Sequence, residues 1–301
     1  MRVAILGEPG GWHVDRLADA LRQRGHHVAI IRWAEVTAGV DTSGTSFGPE
    51  DLAGADAIVV RGMPGAPAAA NRLEDVIFRM DALGQLAARG VPVINPPRAL
   101  EIAIDKYLSL AVLADAGLPI PRTAVVQDAA AAARAWAELG RDCVAKPIFG
   151  SRGRGLTRVR SAAEAAALLP VTEGGIAYLQ EFVDHPGWDV RILVVGNRTF
   201  SMKRVAAGGD WRTNISRGAH PEAFTPPAAW IDLAVRSTAA VGATIAGIDL
   251  LPTADGRVYV VEVNGVPAWR GLQSVAGTDV AAEITLEIEL IAACRPGRTG
   301  S

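Results

Sequence analysis

Cysteine is almost missing. The 301 residues hold two, Cys143 and Cys294, too few for a disulfide framework or a four-cysteine zinc site. Aromatic residues make up only 5%, and no run approaches the roughly 20 apolar residues of a membrane span. Charge of one sign is absent too: 30 cations face 32 anions, so there is no basic footprint for nucleic acid. After Met1-Arg2 the apolar run Val3 to Leu6 is too short for the core of a secretion signal. Low net charge and a 50% hydrophobic content exclude disorder. What remains is the expectation of a soluble, cytoplasmic globular chain with no nucleic-acid or membrane partner. Its length carries a prior of about two domains.

Lysine is also scarce. Lys106, Lys146 and Lys203 are the only three among 30 cations. An ammonium is a compact, strongly hydrated point charge that arginine does not reproduce. A lysine kept against such a bias is a candidate phosphate contact; the alternative is three leftover surface lysines. Two familiar phosphate loops are missing. Gly7, Gly10 and Gly11 do not keep the G-x-G-x-x-G spacing, and no G-x-x-x-x-G-K-[ST] occurs.

The first hundred residues alternate strand and helix, with strands at Val3 to Leu6, Val28 to Ile31, Asp56 to Val60 and Val91 to Ile94. Helices run from Leu17 toward Gly25 and from Leu73 to Arg89. This order predicts a parallel sheet covered on both faces. Asn95-Pro96-Pro97 stops it. One helix is then expected over Ala103 to Ala116, carrying Asp105-Lys106, followed by a small α+β block ending near Val183. Strands dominate the remainder, with helices at Pro227 to Gly242 and Val280 to Ala293. The organisation expected is 1–95, 96–185 and 186–301.

The segment Asp249 to Asn264 carries the most chemistry. Asp255-Gly256 is a preferred pair for a two-residue type I′ hairpin turn. Such a turn would oppose Ala254 with Arg257, Leu251 with Val260, and Asp249 with Glu262. Two carboxylates then face each other about 5 Å apart, and Asn264 projects from the same face. Three oxygen-bearing side chains suit a hard cation, Mg²⁺ or Mn²⁺. A shared proton, or two arginines filling the gap, would also relieve the repulsion, and Pro252 warns of a register shift. Since Mg²⁺ commonly bridges to substrate phosphates, the hairpin points to a nucleotide.

Lys146-Pro147 precedes the loop Phe149 to Gly155, whose glycines allow close backbone approach to an anion. Gln180 to Val183 ends a strand and opens a linker, where exposed backbone can pair with adenine. Asp189 beyond it can accept ribose hydroxyls. The competing readings are an ordinary turn and an ordinary strand end.

In order and spacing this constellation resembles the ATP-grasp superfamily, in particular RimK-like L-glutamate ligases, from about Asn95 to the C-terminal helix. The resemblance implies an ATP-grasp fold, α/β and α+β: an N-terminal parallel-sheet domain, then two α+β subdomains holding ATP between them. It implies nucleotide contacts from Lys106, Lys146, the loop residues Gly150, Ser151, Gly153 and Gly155, the hinge Glu181-Phe182-Val183, and Asp189. Arg212 and Asn214 would lie beside the γ-phosphate, with Arg204 and Arg212 as catalytic arginines. Asp249, Glu262 and Asn264 would hold the metal. Arg61 to Gly65, Val76 to Asp81 and Glu262 to Leu272 look closest to ligases that attach glutamate to tetrahydromethanopterin-type carriers, although Ala268 stands where relatives often have glycine.

That family's reaction phosphorylates a carboxylate with ATP, and an amine then displaces phosphate to give an amide. The implied partners are L-glutamate and a carboxylate acceptor, tetrahydromethanopterin-like in this branch; a homo-oligomer is compatible with it. Arg61, Arg217 and Arg270 are candidate carboxylate anchors, and Trp269 a candidate stacking platform, with salt bridges and core packing as the alternatives. Other expectations in play are a different ATP-grasp ligase, a catalytically silent ATP-binding regulator, and a dinucleotide-binding N-terminal sheet.

Overall fold

In the computed structural model, residues 1–63, 73–148, 155–169 and 175–294 are described. Short aliphatic runs separated by amphipathic helices build the first layer. In chain order these are β1 (Arg2–Leu6), α1 (Trp12–Gln23), β2 (His27–Ile31), a hairpin of β3 (Thr37–Asp41) and β4 (Gly44–Gly48), α2 (Glu50–Ala53), β5 (Ala57–Val60), α3 (Leu73–Ala88) and β6 (Val93–Ile94). The sheet runs β2-β1-β5-β6, all parallel as expected. Along β1, Val3 and Ile5 enter one core while Ala4 and Leu6 enter another, so both faces are covered. The β3–β4 hairpin is outside the sequence expectations. Every β3 side chain is exposed, so no apolar alternation marks it.

The helix expected over Ala103 to Ala116 is two helices, α4 (Pro97–Ile104) and α5 (Lys106–Asp115). Asp105 breaks them. Its backbone is extended, and its carboxylate accepts from the amides of Tyr107 (2.8 Å) and Leu108 (3.0 Å), capping α5. Lys106 therefore begins a helix instead of lying within one.

A second, antiparallel sheet follows: β7 (Thr123–Val126), α6 (Ala129–Glu138), β8 (Cys143–Lys146), β9 (Thr157–Val159), α7 (Ala162–Ala167) and β10 (Ala177–Glu181), in the order β7-β10-β8-β9. Alanines of α6 and α7 pack on Cys143, Ala145 and Leu179. The intervening residues of β8 and β10, Val144, Lys146 and Gln180, line a cleft instead.

The third sheet is antiparallel and built from β11 (Trp188–Val195), β12 (Arg198–Val205), β13 (His220–Ala223), β14 (Ile245–Pro252) and β15 (Val258–Asn264), ordered β13-β12-β11-β14-β15. Val190, Ile192, Ile248 and Leu250 bury one face against α5 and α8 (Ala228–Ala240). Leu193, Met202 and Ile245 join a core shared with α1, β1, α9 (Arg270–Gln273) and α10 (Val280–Ala293). The first and third sheets thus share one apolar core. Asn95 ties the same two layers by polar contacts. Its Nδ2 donates to the Ile245 and Gly265 carbonyls (both 2.6 Å), and its Oδ1 accepts from the Thr244 (2.8 Å) and Ile245 (2.9 Å) amides.

The β14–β15 hairpin corrects the expected turn. Gly256, in the left-handed region at φ 84°, donates to the Thr253 carbonyl (3.1 Å), and the Thr253 amide donates to Arg257 (2.9 Å). The turn is three residues long, not a two-residue type I′ turn. Leu250 consequently faces Val260 and Leu251 faces Tyr259, one residue off the expected register. A bulge between Asp249 and Leu250 restores the offset, since Val261 has no partner on β14. Two one-residue departures cancel, and Asp249 faces Glu262 as expected.

Candidate active site

Between the second and third sheets lies an open-mouthed cleft. Val144, Leu251, Val261 and Phe182 make apolar wall; Lys106, Lys146, Asp249 and Glu262 make charged wall. The segment Glu181-Phe182-Val183 passes along it from one sheet to the other. Glu181 spends its carboxylate on Arg122, accepting from its amide (2.9 Å) and its Nε (2.7 Å). The Phe182 amide donates to the Asp142 carbonyl (2.9 Å), whereas Val183 has no backbone partner among the described residues. Its amide and carbonyl are therefore free to pair with a heteroaromatic edge. Arg158, forked onto Asp142 (2.8 and 2.5 Å), lies 3.4 Å from the Phe182 ring centroid. Trp211 meets that ring edge-on at 5.8 Å. Arg158 and Trp211 thus clamp the linker through the Phe182 ring.

Two of the three lysines meet in this cleft. Lys106 arrives at the first position of α5 and Lys146 at the end of β8, its Nζ donating to Gln180 Oε1 (2.6 Å). Burial lowers the pKa of both. For Lys146 it falls to about 8: burial is the main cause, Glu262 resists, and Lys106 adds to the depression. Lys203 is elsewhere, paired with Glu222 at 3.2 Å.

On the third sheet, the period of two places Asp189 and Arg191 on one face of β11. Arg191 lies opposite Asp249 and Asp189 opposite Arg204. Arg191 forks onto Asp249 with two bonds of 2.7 Å. Arg204, fully buried, forks onto Asp189 (2.7 and 2.5 Å) and reaches Asp249 at 2.9 Å. Thr213 donates to the same Asp189 carboxylate (2.5 Å). Burial alone would raise the Asp249 pKa, but Arg191 and Arg204 hold it at about 2. Sequence reading missed Arg191 and Thr213. The alternation Asp189-Val190-Arg191, set against an acidic neighbouring strand, was the available signal for Arg191.

Of the options for relieving the opposed carboxylates, the structure realises two arginines, both on Asp249. Glu262 has no hydrogen bond or ion pair among the described residues. Asn264, one row further along opposite Gly247, donates Nδ2 to the Gly247 carbonyl (3.3 Å) and keeps Oδ1 available. No group of three acidic, histidine or cysteine side chains that could hold a metal occurs among the described residues. The set here is two carboxylates and an amide oxygen, the donor chemistry of Mg²⁺. With three N–H donors on Asp249, that residue has room to offer about one further lone pair. The residues fit a hard cation whose remaining ligands come from phosphate and water.

Arg212 and Asn214 line the cleft, Arg212 held by Asp210 (Nε to Oδ1, 3.0 Å). Gly155 has φ 73°, and a Cβ there would sit 3.3 Å from the Pro147 ring. Gly150, Ser151 and Gly153 lie outside the described residues. For Trp269 the structure realises the core-packing alternative. It is fully buried, edge-on to Trp12 and His13, and offers no open face to a planar ligand. Arg270 is exposed and lies over Trp12 (5.8 Å). Arg217 sits in a short 3₁₀ turn. No helix among the described residues is long and apolar enough to cross a membrane.

The chain is similar to known proteins along most of its length. The RimK-like ATP-grasp domain family matches residues 103–288. A tetrahydromethanopterin:alpha-L-glutamate ligase of Methanosarcina acetivorans is 33% identical, covering 93% of this chain and 95% of its own. A ribosomal protein bS6–L-glutamate ligase of Salmonella paratyphi B is 28% identical over 96% of both chains. Among solved structures, the ATP-grasp ligase PsnB, complexed with a phosphomimetic variant of a minimal precursor, Mg and ADP, superposes with a TM-score of 0.76. It covers 97% of this chain and 99% of its own, at 24% identity.

Proposed function

The chain belongs to the RimK-like ATP-grasp family of carbon–nitrogen ligases, and from that premise we propose that it joins L-glutamate to a carboxylate of a small pterin-type cofactor. ATP and Mg²⁺ are the family's co-reactants, as the Mg and ADP of the PsnB complex accord with. The observation that carries the reading is one cleft that brings two lysines together with the opposed pair Asp249–Glu262. The acceptor is chosen because the methanogen relative named for it is more similar than the bS6-modifying one.

In this reading Glu181, Phe182 and Val183 hold adenine, with the Val183 backbone making the polar contacts. Asp189, oriented by Arg204 and Thr213, faces the ribose. Lys106 and Lys146 neutralise phosphate oxygens, and Arg212 and Asn214 lie beside the γ-phosphate. Gly150, Ser151, Gly153 and Gly155 close over the phosphates and keep water from the reactive intermediate. Asp249, Glu262 and Asn264 hold Mg²⁺, which when bound offsets phosphate charge; Mn²⁺ has the same oxygen preference. Arg204 acts by fixing Asp189 and Asp249, because burial keeps its guanidinium on those two carboxylates.

An acceptor carboxylate oxygen attacks the γ-phosphorus and ADP leaves. The glutamate amine then attacks the acyl carbon, the carbon–oxygen bond to phosphate breaks, and the ammonium proton is lost to solvent. No protein nucleophile is needed. The test is phosphate release from Mg–ATP with L-glutamate against tetrahydromethanopterin-type pterins and acidic peptides, with mass spectrometry of the products. Acceptor-dependent release with a one-glutamyl mass gain on the pterin supports the proposal. A gain on peptide alone reassigns the acceptor, and release with no glutamyl gain refutes glutamate ligation.

A further inference from the structure

One charged side chain away from the nucleotide cleft has no counter-charge among the described residues. Arg61 directly follows β5, and its Nε is buried without a hydrogen-bond partner. One Nη2 bond, to the Pro267 carbonyl (2.8 Å), and a stack on Trp269 at 4.3 Å are its described contacts. No carboxylate pairs with it among the described residues, and residues 64–72, which follow closely, contain no Asp or Glu. The Trp269 Nε1, in the ring beneath the guanidinium, is a second buried donor without an acceptor. Burial with no compensating anion pulls the Arg61 pKa down to about 9. A guanidinium whose Nε is buried and unpartnered is costly unless something that binds there completes it.

Its position in the fold says where such a ligand would come from. In the order β2-β1-β5-β6, the chain leaves β1 to one side for β2 and then crosses to the other for β5. The crevice beyond the carboxyl ends of β1 and β5 is therefore the topological switch point, where open α/β sheets bind ligands. Arg61 and Gly7 flank it, and the Arg61 amide donates to the Leu6 carbonyl (2.8 Å). Close packing there leaves no room for a side chain at Gly7, whose Cβ would stand 2.8 Å from Val14. Pro267, which accepts from Arg61, also packs on Gly247, where a Cβ would come within 3.0 Å of its ring. Gly247 lies opposite Asn264 in the metal row. One proline thus separates Arg61 from the row that ends in Asp249 and Glu262.

We propose that Arg61 anchors a non-reacting carboxylate of a substrate at the switch-point crevice, next to the metal row, and so selects substrates bearing a second acidic group. The proposal rests on the ligase reading and deepens it. Two substrates can supply that carboxylate, glutamate and the acceptor, and the experiment separates them.

Arg61→Gln keeps hydrogen-bonding capacity and much of the volume but removes the charge; Arg61→Lys keeps the charge without the fork. Thermal unfolding and Mg–ADP titration confirm that each variant is folded with an intact nucleotide site. KM for glutamate and KM for the acceptor are then measured separately. The expectation for Arg61→Gln is a rise of ~30-fold or more in KM for one substrate only, with kcat and Mg–ADP affinity little changed. Arg61→Lys recovers part of the loss. The substrate whose KM moves is the one Arg61 holds. Unchanged KM values for both overturn the proposal. Should Arg61→Gln fail to fold, Arg61→Lys carries the same comparison, with equal KM values overturning it. If wild type turns over no substrate, direct titration of L-glutamate and glutarate into wild type and variant with Mg–ADP decides instead. Arg61-dependent binding supports the anchor while the ligase reading falls; binding that is absent or independent of Arg61 overturns it.

Discussion

Replacing Asn95 by leucine or aspartate tests how the first layer is held to the site-bearing sheet. The side chain is 2% exposed and satisfies four backbone groups, two carbonyls and two amides, at 2.6 to 2.9 Å. Leucine has nearly the same size and strands all four. At about 1–3 kcal/mol for each buried unsatisfied group, with some relief from relaxation, the loss is about 4–8 kcal/mol. That rivals the about 5–15 kcal/mol of a whole domain, so Asn95→Leu is expected to unfold at far lower urea or not to accumulate. Aspartate separates the two halves of the site. Its Oδ1 can still accept from Thr244 and Ile245, but its other oxygen faces two carbonyls and must be protonated to donate. Its folded pKa is thereby raised above the unfolded value of about 3.9. Stability relative to wild type is then greatest at low pH and falls as pH rises toward the folded pKa, by up to about 1.4 kcal/mol per unit. Urea midpoints at pH 5, 6, 7 and 8, followed by tryptophan fluorescence, read both effects. A deficit in Asn95→Asp that does not grow with pH, or an Asn95→Leu loss below about 1 kcal/mol, refutes the reasoning.

The Lys146 pKa of about 8 predicts that Mg–ADP affinity weakens by up to about tenfold per unit above pH 8 as the charge is lost, and that Lys146→Arg, which stays charged, abolishes that limb in calorimetric titrations. Because the unfolded lysine titrates near 10.5, the unfolded chain binds more protons between about pH 8 and 10.5, and this group makes the nucleotide-free protein more stable as pH rises through that window. Asp249→Ala leaves Arg191 and Arg204 buried without their shared anion and is expected to cost about 3–5 kcal/mol in denaturant unfolding. Glu262→Gln leaves no partner stranded, so it should change stability by less than about 1 kcal/mol while lowering turnover by about 100-fold or more; equal destabilisation by the two would contradict the division of labour. Arg158→Ala removes the cation over Phe182 and should weaken ATP binding by about 2- to 10-fold without changing the glutamate KM.

Much of the site was legible because its chemistry lies close together along the chain. Lys106 and Lys146 stood out against an arginine background, and the structure puts both in one cleft. Asp249 and Glu262 were paired by hairpin arithmetic. That arithmetic had the turn wrong by one residue, and the bulge that skips Val261 compensated for it, a detail set by packing beyond the turn. Asp105 reads as a helix residue by periodicity, yet as a cap its carboxylate breaks the helix and sets Lys106 at a helix start. Arg191 escaped because an arginine in a strand reads as a solvated edge until the strand opposite is known. Trp269 stayed open between a stacking platform and core packing, because an aromatic residue beside an arginine looks the same on a surface as in a core.

By itself the sequence determined the alternation of strand and helix in the first layer and the residue types that can bind phosphate and a hard cation. Those follow from local rules of periodicity, turn preference and charge. Which residues share a space was decided only by tertiary structure. Asn95 reaches across 150 positions to Ile245, Arg204 lies between two aspartates, and Arg61 sits beside Pro267 with no anion among the described residues. Each of these is a balance of burial against pairing, and that balance exists only once distant strands have closed around it.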